Sequence, residues 1–268
     1  MRRTIPVAGV ALASLIALPV ASASAKTTIT LSGSTSVAPL AAKLARQYVK
    51  ERKGKVGFRL LQGGSDVGVA DVARGRVTLG MSSRDPKPSD PGGLVFSRIA
   101  HDAICIITNK SNRLSDVSQA QVQSIFGGGV RDWGQVPGAS ANGTINVFVR
   151  TAASGTQDAF QKIFLGSTKV TSVASQRASN GLVQQAVKSS PTGIGYVSLA
   201  FTKGTNAVSY KGVACNLRNA KAGTYGGLRS FWLVSRGAPT GAAKKWIHWV
   251  RNDRDALRIT AEQWVPLK

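Results

Sequence analysis

The chain has 268 residues, room for two modest domains or one large one, and 43% of them are apolar, enough to build real cores. Its 35 Lys and Arg against 12 Asp and Glu give a formal charge of +23, chiefly through a shortage of acids. The basic residues are scattered, with no block of five or six, which excludes a basic arm for nucleic acid and leaves a solvated surface that attracts anions in general.

The chain opens MRRTIPVAGVALASLIALPVASASA, with Arg2 and Arg3 ahead of an apolar run that closes on small residues. That is the form of a secretory signal over residues 1–25, cleaved after Ala25. The run is short and broken by Pro6, Gly9 and Pro19, which argues against a membrane anchor, and no cysteine at the junction offers a lipid site. No later stretch is apolar enough to span a bilayer. TITLSG then predicts a strand, and PLAAKLARQYVKE a helix with Leu40, Leu44 and Tyr48 in line. VGFRLLQG, VTLGMSS and DAICIITN read as strands, with a short helix SDVGVADVARG between the first two. SQAQVQSIFGG is a helix that closes on three glycines. INVFVR leads as a strand into the helix TQDAFQKIFLG. GLVQQAVKSS is a helix, TGIGYVSLAF a strand, SFWLVSR a strand and GAAKKWIHWVRND a last helix. This alternation predicts an α/β fold with parallel strands and crossover helices.

Cys105 and Cys215 both sit in strand-like runs, where they are either one disulfide or two small buried hydrophobes. His101 and His248 are the only histidines, too few and too poorly placed for a metal site, and no cofactor is expected. A serine hydrolase is excluded on similar grounds. G-x-S-x-G and S-x-x-K are absent, and a histidine base is hard to supply.

The chemistry concentrates at four strand-to-helix junctions. SGSTSVAP carries Thr35 and Ser36 ahead of Pro39, QGGSDVG carries Ser65, GMSSRDP carries Ser82 and Ser83, and VRTAASGTQDAF carries Arg150, Ser154, Gly155 and Thr156. Each hydroxyl alone suits a helix N-cap. Four such loops on one edge of a parallel sheet make a ligand site, and helix N-termini there favour an anion. Hydroxyls and glycine N–H groups would surround a tetrahedral oxyanion, with Arg150 as its one full positive charge, a bidentate fork. The competing arrangement pairs Arg150 with Asp158 or with solvent.

The segments LSGSTSVAPLAAKLARQYVKE, LQGGSDVGVADVARGRVTLGMSSRD and RTAASGTQDAF resemble the substrate-binding proteins of phosphate ABC transporters, the PstS family. The resemblance continues through IAHDAICIITNKSNRLSDVSQAQVQSIFGGGVRDW, GIGYVSLAF and GGLRSFWLVS, so it covers essentially all of the chain after the leader. It implies a two-lobed periplasmic-binding-protein fold of type II, each lobe a mixed sheet flanked by helices. Lobe 1 would be residues 26–97 and 227–268, lobe 2 residues 98–226. It also implies inorganic phosphate in a hinged cleft, held by Thr35, Ser36, Ser65, Ser83, Arg150, Ser154, Gly155 and Thr156. The implied partner is a membrane ABC permease, served by a monomer that is periplasmic or secreted, with no specific nucleic acid. Many family members carry an aspartate in the third loop that accepts the proton of hydrogen phosphate. Here the position reads Ser83, leaving Asp66 and Asp85 as candidates for that role. Another tetrahedral oxyanion, sulfate or molybdate, is the alternative ligand, and a basic surface protein for polyanions the alternative class.

Overall fold

A computed structural model describes residues 27–267 together with Met1, so the expected leader lies outside the described residues. The first core begins β1 (Thr27–Gly33), α1 (Ala38–Glu51), β2 (Val56–Gln62), α2 (Ser65–Ala73) and β3 (Leu79–Ser82). β1 lies between β2 and β3 and is parallel to both, the pattern that crossover helices produce. Next comes β4 (Leu94–Thr108), which runs the length of both cores.

The second core follows as β5 (Asp116–Val117), α3 (Gln119–Gly127), β6 (Asn146–Arg150), α4 (Gly155–Phe160), β7 (Ser175–Arg177), α5 (Asn180–Ser189), β8 (Gly193–Ser198), β9 (Asn206–Tyr210) and α6 (Leu217–Lys221). The helix expected over residues 156–166 is regular only in α4 and finishes as a π-turn, Gln161–Leu165. The chain then returns through β10 (Leu228–Arg236), α7 (Gly241–Asn252) and α8 (Arg254–Ala261).

The strands form one continuous curled sheet in the order β2-β1-β3-β10-β4-β8-β6-β7, with β9 beside β4 and β5. It is not wholly parallel, as the alternation suggested. β10 is antiparallel to both β3 and β4, and β4 is antiparallel to β8 and β9. The reason is that β4 and β10 are the two connections between cores, and one runs out while the other runs back.

Two buried clusters lie along this sheet. One joins Ile29, Leu31, Leu40, Leu44, Leu79 and Phe231 to the tryptophans 246, 249 and 264. The other joins Ile104–Ile107 of β4 to Phe126, Phe160, Phe164, Tyr196 and Tyr225. Cys105 and Cys215 are joined as a disulfide inside the second cluster, with their Cα atoms 5.6 Å apart.

Candidate functional site

The four hydroxyl-bearing loops converge where the two clusters meet. Gly33 has φ +131, and a Cβ there would collide with the carbonyl of Met81, so only glycine lets β1 leave the sheet at this angle. The turn that follows is closed by the Ser34 hydroxyl, which accepts from the amides of Ser36 and Val37. Pro39 then sits in the first turn of α1, where its missing N–H is no loss. Thr35 and Ser36 are thereby held inward, 5% and 0% exposed.

Ser65 opens α2, and its Oγ accepts from the amide of Ser83 at 3.0 Å. Ser34 donates to Ser83 Oγ at 2.8 Å, so three loops of the first core are tied together through hydroxyls. Ser82 turns away and donates to the carbonyl of Arg84. From the second core, Ser154 caps α4 by accepting from the amides of Thr156 and Gln157. Gly155 packs so close to Ser65 that a Cβ would strike the serine oxygen and the amide of Arg84.

Ser82 apart, the hydroxyl residues and Gly155 of the four loops thus lie at this junction. Across it, Ser36 Oγ and Thr156 Oγ1 are 2.9 Å apart. The Asp66 amide donates to the carbonyl of Ala153 at 3.1 Å.

Arg150 ends β6 and is 2% exposed. Its guanidinium donates to the carbonyls of Arg177 at 3.2 Å and Ala178 at 2.8 Å, and to Thr156 Oγ1 at 3.5 Å. No carboxylate among the described residues pairs with it; Asp158 instead binds Lys87 and Lys162. Burial pulls the Arg150 pKa down to about 10, so at neutral pH the side chain keeps its charge.

Arg150 is not the only buried guanidinium at this junction. Arg229 of β10 is also buried, and it donates to Thr156 Oγ1 and Ser36 Oγ, each at 2.9 Å. Its other edge is held by Asp102 at 2.8 Å. Burial pushes the Asp102 carboxyl up, against the pull of Arg229, the Ser198 hydroxyl and the amide of Leu199. Asn180, at the start of α5, was also missed. Its amide donates to Thr35 Oγ1 at 3.0 Å and Ser36 Oγ at 2.8 Å while its oxygen accepts from the amide of Ser198. The Ser36 oxygen thus receives from both Asn180 and Arg229, which leaves its own proton to be given, and Thr156 Oγ1 at 2.9 Å is within reach to accept it.

Neither candidate proton acceptor stands free in the junction. Asp66 is engaged by Arg84 at 2.6 Å, and Asp85 is exposed. Arg84 is itself tied to Asp90 at 2.6 Å; despite the burial that opposes it, hydrogen bonds to Asp90 and Asp66 hold its pKa above the ordinary value.

A mixed α/β fold with two strands spanning its two cores is matched by known proteins. The profile of the PBP superfamily domain matches residues 19–254. The chain belongs to the PBP superfamily. Among its PBP relatives, the phosphate-binding protein PstS of Bacillus subtilis is 24% identical over 245 residues, 89% of this chain and 80% of that protein. Phosphate-binding protein PstS 2 of Streptococcus pneumoniae is 35% identical over 104 residues, 39% of this chain and 35% of that one. Among solved structures, a phosphate ABC transporter substrate-binding protein from Clostridium perfringens, crystallised with bound phosphate, superposes with a TM-score of 0.84 at 28% identity. That match covers 90% of this chain and 100% of the other. An ABC-type phosphate transport receptor from Vibrio cholerae shares the fold with a TM-score of 0.71 at 24% identity, over 88% of this chain and 99% of its own. The two-lobed periplasmic-binding-protein architecture is therefore that of this PBP chain. No helix among the described residues is long and apolar enough to cross a membrane.

Proposed function

We propose that the chain binds inorganic phosphate between its lobes outside the cytoplasm and delivers it to an ABC-type permease. The observation that carries this reading is Arg150, a cation 2% exposed with carbonyls and a hydroxyl for partners and no acid. A buried charge without a counter-charge costs several kcal/mol, and an anion in the junction removes that cost. Thr35, Ser36, Ser65 and Ser83 would hold the anion from lobe 1. Arg150, Ser154, Gly155 and Thr156 would hold it from lobe 2, with Arg229 as a second cation whose charge is partly met by Asp102.

The names of the Bacillus, Streptococcus and Clostridium relatives support phosphate as the anion and an ABC transporter as its destination. We assign residues 26–97 and 227–268 to lobe 1 and 98–226 to lobe 2. The division of the buried clusters near residues 100–103 and 225–231 supports these limits. On this reading the chain is a monomeric carrier rather than an enzyme, exported with removal of residues 1–25.

With Asp66 and Asp85 placed as they are, hydroxyl and carbonyl oxygens would have to accept the proton of hydrogen phosphate, so sulfate is the competitor that matters. Equilibrium dialysis with labelled phosphate, challenged by sulfate, molybdate and arsenate, tests the reading. Saturable uptake of one phosphate per chain is expected. Failure to retain phosphate, or tighter retention of sulfate or molybdate, overturns it.

A further inference from the structure

A basic depression lies on lobe 1, between the end of α1 and the start of α7. Two clefts adjoin there, of about 630 and 930 Å³, and share Arg52, Gly241 and Lys245. The first is also lined by Lys244, His248 and Trp249, the second by Tyr48, Lys53 and Lys55. Five cations, Arg52, Lys53, Lys55, Lys244 and Lys245, thus line one continuous depression with two carboxylates, Glu51 and Asp253, whose oxygens lie within 4.8 Å of each other and of Asp255. Asp253 is partly spent, since its Oδ1 caps α8.

The five cations make no ion pair among the described residues. Nearby cations on the same lobe behave differently: Lys43 pairs with Glu262 and Arg258 with Asp255. Lys53 holds a left-handed backbone, φ +48, that a lysine rarely adopts, and it does so at the rim of this cleft. α7 adds the positive end of a 12-residue helix whose first-turn amides receive no side-chain cap from Thr240.

We propose that this depression binds a linear phosphate polymer, a chain of phosphates or phosphodiesters without bases. The lining offers several ammonium groups, a guanidinium and helix-start amides in one depression, which suits the repeated charges of a phosphate backbone. It does not suit single-stranded nucleic acid. Tyr48 and Trp249 are 2% and 5% exposed, and the Arg52 guanidinium already lies over the Tyr48 ring at 4.9 Å, so neither large ring offers a free face to a base, and the exposed His248 imidazole is a single ring rather than a stacking track. The polymer would collect near a protein that also takes the monomeric anion, but the inference stands on the cleft alone and not on the interlobe site.

Calorimetric titration of the purified chain with inorganic polyphosphate of one short length tests this. Binding should weaken with salt along a log–log slope of about −3 to −4, as about five charge contacts imply. Lys244→Glu with Lys245→Glu should lose at least about tenfold in affinity. Lys188→Glu with Lys203→Glu, the same charge change on exposed lysines of the other lobe, should stay within about twofold. Arg150→Ala should bind the polymer like the parent. Unchanged melting temperatures in both double variants show that folding is not the cause. Equal losses in the two double variants would mean diffuse attraction to net charge, and loss in Arg150→Ala would put the polymer in the interlobe junction. Either result, or no binding by the parent, overturns the proposal.

Discussion

The guanidinium of Arg229 donates from Nε and Nη2 to a single carboxylate oxygen of Asp102, at 3.1 and 2.8 Å, where neither side chain is more than 3% exposed. The other oxygen of Asp102 accepts from the Ser198 hydroxyl at 2.9 Å. One carboxylate on β4 therefore fixes an arginine on β10 and ties it to β8. The rest of the guanidinium is left to Ser36 and Thr156. Both connecting strands between the lobes thus contribute a charge to the junction.

Asp102→Asn is expected to remove the counter-charge while keeping the shape. Breaking one side of a buried pair costs about 3–5 kcal/mol, so the melting temperature without phosphate should fall clearly. Phosphate would then meet two uncompensated arginines, and the rise in melting temperature that it brings should exceed the parent's. Thermal melts of both proteins with and without phosphate decide this. An unchanged melting temperature in the variant would show that the pair contributes little.

The Cys105–Cys215 disulfide closes a loop of 110 residues within the second core. Such a bridge restricts the unfolded chain and contributes about 2–4 kcal/mol. Replacing both cysteines by serine should lower the unfolding free energy by about that amount and leave phosphate affinity nearly unchanged, since neither cysteine touches the junction hydroxyls. Denaturant titration beside phosphate titration measures both. Equal stability with and without the bridge would contradict the loop argument.

Much of the junction was legible because glycines and hydroxyls mark strand-to-helix turns and each suits a cap. Arg229 was not, because an arginine in GLRSFWL reads as the solvent-facing partner of its apolar neighbours. A signal was present all the same. Arg229, Phe231 and Leu233 share one face at a period of two, and that face is buried. Asn180 follows Ser179 at the start of a helix, where it passes for part of a cap. Its partners Thr35 and Ser36 lie about 145 residues away, a distance over which local pattern carries nothing. β4 was recognised only from Asp102 onward. Its earlier half, LVFSRIAH, mixes exposed and buried positions because it is shared between lobe and connection. α8 went unread for a related reason: of the four apolar residues in RDALRITA only Ala256 is buried, and the other buried position is the polar Thr260.

Lys87 Nζ meets Asp158 Oδ1 at 2.8 Å, and the two residues belong to different assigned lobes. With the lysine side chain 29% exposed and the aspartate 15%, the pair is worth about 0.5–1 kcal/mol. Lys87→Ala should therefore weaken phosphate binding about two- to fivefold at low salt, and less at high salt. Lys162→Ala is the control, because it removes a partner of the same aspartate from within α4 and its continuation. Small-angle scattering should also show compaction of the parent on adding phosphate, since contacts from both lobes form only when they meet. Equal effects from the two lysines, or an unchanged radius of gyration at saturation, would count against closure.

Substitutions at Arg150 and Arg84 would separate ligand binding from scaffold. Both are buried, at 2% and 4% exposure. Arg84 is neutralised by Asp66 and Asp90, whereas Arg150 has carbonyls, a hydroxyl and no acid. Removing the partner of a buried ion costs about 3–5 kcal/mol, or two to three orders of magnitude in affinity. Arg150→Ala should lose that much phosphate affinity, and it should fold at least as well as the parent, because an uncompensated buried charge is gone. Arg150→Lys should recover only part, since an ammonium cannot serve the carbonyls of Arg177 and Ala178 and the anion with a planar fork. Arg84→Ala should do the reverse. It leaves Asp66 and Asp90 without their cation, lowers the melting temperature, and keeps phosphate affinity within about tenfold. Calorimetric titration with phosphate, with circular dichroism melts of each variant, reads both effects. Arg229 bounds the outcome: a second guanidinium in the junction keeps some attraction for anions when Arg150 is gone, so binding should weaken rather than vanish. Phosphate affinity of Arg150→Ala within tenfold of the parent would mean that Arg229 and the hydroxyls suffice, and that Arg150 is not what grips the anion.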